Sequence, residues 1–594
     1  MANHTKPVLP WPSGAGALLS AVALGGCSLL FHADADQCTS TAQCSARGSA
    51  FANHVCQAGT CVAAVPPVRE AGVDAGLDAS DDSGMVAETA PPPDAVGSGC
   101  KVAADCTAAS ASHSEVACDV DSHSCVQLTT DECPLVVGDY SGATWPPVFI
   151  GAFATLPPSG IQSHPSYLNY RLAIEEFTFA SGIPIGPSTG QRMPVAVVCN
   201  VDANVDTVMS HLVTDVRVPA VVAPLDSARL KTMFIKDAQP NRIFVINPYG
   251  ADSTLTSLPS DQLLWHMLGQ PSDDATAYGA VFSRLEAYVR SSQSVGPSAP
   301  IRLATVTANA TVTQDLAAAV LPLLRWNGQT VDQNQAAGNY LNVVIDSTLN
   351  GTPLAQIKID SAVSALAAFK PNLVISFAAT EFVIVVQTLE TPTSANPTPP
   401  KPFYLVGPYN MGSTGFLNWI NAGGPSTSEA KRMRVAGVGV AAATDKTVLH
   451  QYENRFIGRF NDPAALGQEN FYDAMYFAVD SLVAAGRVTN RTGANVAQGM
   501  LRLLSGSPYN VGPSDMGSIF GALGAPTGTI RLLGALGPPD FTLATGARVG
   551  LGSIYCVARN PDLSSSYAYD VLSLVGTDGG GPTLSGTFSC YSGF

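Results

Sequence analysis

The chain has 594 residues, of which 46% are hydrophobic and 13% charged, and its formal net charge is −16. Charge this sparse, against a usual ~25%, excludes a wholly disordered chain, a coiled coil and a basic nucleic-acid binder, and the length predicts three or more folded units. The acidity sits in front: residues 1–146 hold 16 Asp and Glu against 4 Lys and Arg, whereas residues 147–594 hold 30 against 26.

At the N-terminus, Lys6 and the free amine precede an apolar stretch from Gly14 that runs into Cys27. This is the layout of a secretory signal with small residues at the cut site. The four residues Leu24-Gly25-Gly26-Cys27 resemble a bacterial lipobox. The resemblance implies a signal peptide over 1–26, an acylated Cys27 as membrane-lipid partner, and a membrane-anchored lipoprotein facing the periplasm or cell surface. The competing reading is an uncleaved anchor helix, since Gly14–Phe31 is just long enough to cross a bilayer.

Removing Cys27 from the thirteen cysteines leaves twelve, an even number suited to disulfides outside the cytoplasm. Cys38, Cys44, Cys56 and Cys61 follow C-x5-C-x11-C-x4-C, and Cys100, Cys106, Cys118 and Cys125 follow C-x5-C-x11-C-x6-C, which makes an internal repeat. Each copy is too short to fold by apolar burial alone, so cross-links are expected within a first module over 27–61 and a second over 100–133. A zinc site is the lesser alternative, because no C-x2-C spacing occurs and the histidines are scattered, so no metal or cofactor is expected. The pairing within each copy is left open. Residues 62–99, rich in Pro, Ala and Asp, predict a disordered acidic linker, and together with the modules they read as a stalk.

From Pro147 short β-rich runs alternate with helical segments. Val148–Phe153, Val195–Cys199, Ala220–Ala223 and Ile243–Ile246 predict buried parallel strands, with helices over Tyr167–Phe179, Val205–Val216 and Ser227–Lys236 between them. A second series follows at Ile301–Val306, Leu341–Ile345, Leu373–Phe377, Phe403–Val406 and Arg434–Val440, separated by helices over Thr313–Leu324, Ile359–Phe369 and Glu381–Leu389. The fold class is therefore α/β, as two doubly wound Rossmann-like lobes joined by a hinge. Helices over Val448–Phe460 and Phe471–Ala485 come next, then short Gly- and Pro-rich strands.

Over roughly residues 147–560 the ordered landmarks resemble the type I periplasmic solute-binding proteins, in particular the branched-chain amino-acid branch that serves ABC importers. The landmarks are Ile150-Gly-Ala-Phe-Ala-Thr-Leu-Pro-Pro-Ser-Gly, Val221-Val-Ala-Pro-Leu-Asp-Ser, Val245-Ile-Asn-Pro-Tyr-Gly-Ala-Asp-Ser, Tyr404-Leu-Val-Gly-Pro-Tyr, the Tyr472–Gly486 helix and Thr527-Gly-Thr-Ile-Arg-Leu. The resemblance implies one lobe from 147–298 and 441–520, the other from 299–440 and 521–560, and a C-terminal extension over 561–594. It also implies a ligand clamped at the carboxyl ends of the strands. By resemblance, Ser159, Gly160, Asp226, Ser227, Tyr249 and Ala251 contact the ligand from the first lobe, and Thr380, Tyr409 and Asn410 from the second. Against that reading, Ser and Thr at strand ends commonly cap the next helix. Tyr409 also stands where amino-acid binders of the family place an acid to meet the ligand's ammonium, with Asp226 or Glu381 as possible substitutes, so an uncharged or anionic ligand is equally open.

No enzymatic motif survives inspection, and no enzyme is expected. Gly186-Pro-Ser-Thr-Gly has the letters of a nucleophile elbow but lies in a loop before a strand rather than between strand and helix. No phosphate-binding loop or H-E-x-x-H occurs. Of the remaining cysteines, Cys133 with Cys199 is expected to fix the stalk to the first lobe, and Cys556 with Cys590 to close the C-terminal strands. The leading functional reading is a lipid-anchored solute-binding protein that captures a small polar ligand, amino-acid-like or an organic acid, for an ABC transporter permease. The alternative is a non-transport envelope sensor or interaction lipoprotein with a repurposed cleft.

Overall fold

The computed structural model describes residues 54–57, 60–63, 99–107, 115–156, 164–185, 190–346, 353–378, 381–392, 398–407, 410, 414–440, 446–461, 468–486, 492–550, 552–559, 565–577 and 580–585. The expectations on the signal peptide, Cys27, Cys38, Cys44 and nearly all of the linker lie outside them. The chain divides into two compact units, Met1–Ala95 and Val96–Phe594. Described in the first unit is the hairpin His54–Gln57 with Thr60–Ala63, in which Cys56 stands opposite Cys61.

In the second unit the chain first forms the hairpin Val116–Asp119 with Ser124–Gln127, held by the disulfides Cys100–Cys118 and Cys106–Cys125. This second module is not a stalk. Ala117, Val126, Leu128 and Cys133 are buried in the core of the first lobe. Asp121 accepts a 2.7 Å hydrogen bond from the buried guanidinium of Arg192, and Cys133 is bonded to Cys199. The apolar face of the hairpin buries better against a sheet than in water, which is why it docks.

The first sheet contains β1 (Leu135–Val137), β2 (Pro147–Ala154), β3 (Met193–Asn200), β4 (Ala220–Val222), β5 (Phe244–Asn247) and β6 (Leu264–His266). Its parallel core runs β3-β2-β4-β5-β6, with β1 antiparallel on the β3 edge. All eight residues of β2 are buried, as a sheet with both faces covered requires. Helices α1 (Pro165–Phe179), α2 (Ser227–Met233) and α3 (Ser253–Thr256) start where the residue ahead of the helix accepts a backbone N–H: His164 for α1, Asp226 for α2 and Asp252 for α3.

The chain then crosses to the second lobe through Gly269 and Gln270. That lobe contains α4 (Pro271–Ser292), β7 (Leu303–Ala308), α5 (Thr311–Val320), β8 (Tyr340–Ile345), β9 (Leu373–Ser376), α6 (Glu381–Glu390), β10 (Phe403–Val406) and β11 (Val435–Val440). Its parallel core runs β8-β7-β9-β10-β11, repeating the winding of the first lobe. A second crossing, between Val440 and Thr447, returns the chain to the first lobe as α7 (Thr447–Phe460), α8 (Glu469–Ala485), α9 (Gly493–Leu501) and α10 (Met516–Gly524). Strands β12 (Phe541–Thr542) and β13 (Ala547–Arg548) extend that sheet beyond β6. After a third crossing, β14 (Gly552–Arg559), β15 (Ser565–Thr577) and β16 (Gly580–Ser585) complete the second sheet, antiparallel beyond β11.

The lobe boundaries differ from the sequence expectation in three places. The first crossing falls at Gln270, not after residue 298, because Ala275–Val289 of α4 pack with Leu303, Ile375 and Leu405 in the second core. The first lobe continues past residue 520: Leu523, Ile530, Leu532, Leu536 and Ala547 belong to its core. Of the expected extension over 561–594, the described strands belong to the second sheet, since β15 pairs onto β14 and β16 onto β15. Cys556 is disulfide-bonded, and Cys590 lies outside the described residues. Among the described residues no helix is long and apolar enough to cross a membrane.

Candidate functional site: the crevice between the lobes

In each lobe the strand order reverses between the first strand and its third-strand neighbour, β2 with β4 and β7 with β9, so the loops leaving the carboxyl ends of these strands part and leave a crevice. The two carboxyl ends meet across the crossings. Asp273 Oδ2 accepts the N–H of Gln270 at 2.8 Å and the N–H of Gly550 at 3.2 Å, tying the first crossing to the third. Gly269 has φ +81°, and a Cβ there would lie 2.6 Å from Asp273 Oδ2 and 2.8 Å from Arg548 O, so the crossing requires glycine.

Of the residues expected to touch ligand, Ser159, Gly160, Thr380 and Tyr409 lie outside the described residues. Asp226 is exposed, and its Oδ1 accepts the N–H of Arg229 at 3.0 Å as the cap of α2; Ser227 is the first residue of that helix. Ala251 is buried and its N–H donates to Gly269 O at 2.8 Å. Tyr249 is half-buried with its ring edge-on to Phe471 at 5.7 Å, and burial raises its phenol pKa. Asn410 is fully buried; Nδ2 donates to Ala378 O at 2.6 Å, tying the ends of β9 and β10 together, while Oδ1 has no partner among the described residues. Tyr249, Ala251 and Asn410 thus share the crevice ends of the two sheets, and Asp226 and Ser227 serve their helix.

The structure adds residues that sequence reasoning missed. On β6, His266 is fully buried beside Asn247 of β5. Asn247 Oδ1 accepts the N–H of Tyr249 at 3.0 Å, so its Nδ2 is the donor to His266 Nδ1 at 3.1 Å. The imidazole proton therefore resides on Nε2, which has no partner among the described residues. Burial pushes the His266 pKa down to about 3, so the ring is neutral. At the start of α4, one turn apart, Asp274 and Tyr278 are both buried, and Asp274 Oδ1 and Tyr278 Oη likewise have no partner among the described residues. A Cβ on Gly407 would lie 3.5 Å from Tyr278 Oη, which places the phenol at the carboxyl end of β10. Burial, and then the charge of Asp273, pushes the Asp274 carboxyl up to about 7.

Two more groups meet there, Tyr555 of β14 in the second sheet and Arg548 of β13 in the first. Burial, followed by the charges of Glu469 and Asp274, raises the Tyr555 phenol, so a first-lobe and a second-lobe carboxyl converge on one ring. Arg548 donates through Nε to Pro538 O at 3.0 Å and through Nη2 to Leu536 O, while Nη1 has no partner among the described residues. Buried polar atoms in native proteins are overwhelmingly paired, so unpaired donors and acceptors near the carboxyl ends of both sheets mark the crevice as the candidate site.

Two other clusters do not form sites. The sulfurs of Cys100, Cys106 and Cys125 lie within 4.8 Å of one another, but all three are disulfide-bonded and offer no thiolate to a metal. A cavity of about 760 Å³ beside Trp419 and Lys431 lies at the opposite end of the second sheet, where Arg434 is fully engaged by Glu390 and Pro402 O.

No protein-family model matches the sequence, and no curated protein matches it. Solved structures similar to the chain are ABC transporter substrate-binding proteins, many of them of branched-chain amino acid systems. They include a putative branched-chain amino acid ABC transporter from Silicibacter pomeroyi, with 13% identity and TM-score 0.45 over 72% of this chain and 96% of that one. The substrate-binding protein LivJ of Streptococcus pneumoniae, in complex with isoleucine, has 13% identity and TM-score 0.48 over 72% and 99%. A solute-binding protein from R. palustris, in complex with benzoate, has 10% identity and TM-score 0.45 over 74% and 98%. The fold assignment rests on the repeated strand order of the two sheets.

Proposed function

We propose that this chain is a lipid-anchored extracytoplasmic solute-binding protein that captures a small polar molecule between its two lobes and presents it to a membrane partner of the ABC importer class. The observation that carries the reading is the set of buried polar atoms without partners, His266 Nε2 and Arg548 Nη1 from the first lobe and Asp274 Oδ1, Tyr278 Oη and Asn410 Oδ1 from the second, at the facing ends of the two sheets. Each group left unpaired costs about 1–3 kcal/mol, and a guest that pairs several of them recovers much of that cost on closure. The set holds the neutral imidazole N–H of His266, the guanidinium of Arg548 and a carboxyl that titrates near neutrality, so the guest carries both acceptors and donors.

The test is a thermal-shift panel on the full chain with amino acids, amides, organic acids and sugars. A true ligand at 100 times its dissociation constant adds about 2.7 kcal/mol and raises Tm accordingly. Silence across the whole panel would favour the envelope sensor or interaction lipoprotein with a repurposed cleft.

A further inference from the structure

We infer that Asp315 is a latch that holds the two lobes together across the crevice and biases the chain towards the closed arrangement. This deepens the solute-binding reading and rests on it. The observation is a hydrogen bond between lobes: the backbone N–H of Ser253, first residue of α3 in the first lobe, donates to Asp315 Oδ2 of α5 in the second at 2.7 Å, across 62 residues of sequence. Both helices leave the carboxyl ends of their sheets, α3 after β5 and α5 after β7, so the bond lies on the crevice side.

Local structure prepares both partners. Leu255 of α3 is anchored in the first core and Leu316, next to Asp315, in the second, so neither end of the bond can follow the other if the lobes separate. Asp252 caps α3 by accepting the N–H of Leu255, which leaves the N–H of Ser253 to seek an acceptor elsewhere. A carboxylate accepting a backbone N–H is stronger than a neutral pair, but the bond is solvent-exposed and partly screened. Breaking it should shift the closed-to-open ratio by about three- to tenfold, a modest bias of the kind that sets how readily a binding protein takes in and releases its guest.

Two variants test the latch on the full, ligand-free chain. Asp315→Ala removes the acceptor. Ser253→Pro removes the donor at a first helical position where proline is tolerated, after an Asp252 whose φ −83° and ψ 178° suit a residue before proline. Melting curves establish that each variant is folded, and hydrogen exchange read by mass spectrometry then compares amides at the crevice ends of both lobes, those of Tyr249 and Asn410 among them, with amides of β2 and β3. The expected result is a three- to tenfold rise in exchange at both crevice ends in either variant, no further rise in the double variant, and no change in β2 and β3. A change confined to the amide of Ser253, or no change, overturns the latch. Because no ligand enters this experiment, a silent ligand panel and a failed latch are separate outcomes.

Discussion

Replacing Asp274 by Asn isolates the cost of charging the crevice. The carboxyl is buried at the first turn of α4, and its pKa is pushed from 3.8 up to about 7 by burial first and Asp273 second. In the unfolded chain it ionises near 3.8. Between 3.8 and 7 the folded protein therefore binds more protons than the unfolded one, so this group's contribution to stability falls as pH rises through that window and is fully lost above it. At about 1.36 kcal/mol per unit the loss is at most about 4 kcal/mol. Asn has the shape of the neutral acid and cannot ionise, so Asp274→Asn should match the wild type near pH 4 and exceed it by an amount that grows to a plateau above pH 8. Urea unfolding of both proteins from pH 4 to 8 measures the difference. His266 acts in the opposite sense, with stability lost as pH falls from 6.5 towards 3, but it is common to both proteins and cancels. A difference that does not vary with pH would refute the assignment of Asp274 as a buried, uncharged carboxyl.

Two further predictions concern what keeps the first lobe rigid. Glu176 of α1 accepts hydrogen bonds from Tyr472 at 2.6 Å, Tyr476 at 2.5 Å and Arg455 Nε at 2.8 Å, joining α1 to α7 and α8. Glu176→Gln puts an amide donor against this ring of donors and should cost about 2–4 kcal/mol, read as a fall in the urea midpoint; an unchanged midpoint would show that the network is not needed. Cys133→Ser with Cys199→Ser opens a loop of sequence separation 66 and should cost up to about 4 kcal/mol by chain entropy, measured by calorimetry. A loss well below 1 kcal/mol would mean that the docked hairpin and β1 hold this edge without the bridge.

Most of the two sheets could be read from sequence because their strands are buried on both faces and appear as runs such as Val195-Ala-Val-Val-Cys and Phe403-Tyr-Leu-Val, which few other environments permit. What escaped lies where burial is one-sided or brief. Strand β6 is three residues, Leu264-Trp-His, too short for a period, and α4 carries its core face on Ala, Tyr and Val among many polar residues, so neither element is legible in the sequence and the expected first crossing falls too late. The second module read as a stalk because a composition of small and polar residues does not reveal that Arg192, far along the chain, reaches back to Asp121.

The crevice was harder still, for a physical reason. Residues at strand ends chosen for their resemblance to ligand contacts include Asp226, one of whose carboxylate oxygens caps its own helix, and Ala251, whose N–H donates to Gly269. Groups that remain unspent, His266, Asp274 and Tyr278, come from a strand end and a helix start that meet through the first crossing, and nothing in their spacing distinguishes them from ordinary polar residues. A polar group becomes informative only when folding has removed water from it and supplied no replacement. That condition is set by tertiary packing, here beside Gly269 and Asp273, where one carboxylate oxygen holds two crossings together, and not by any spacing along the chain.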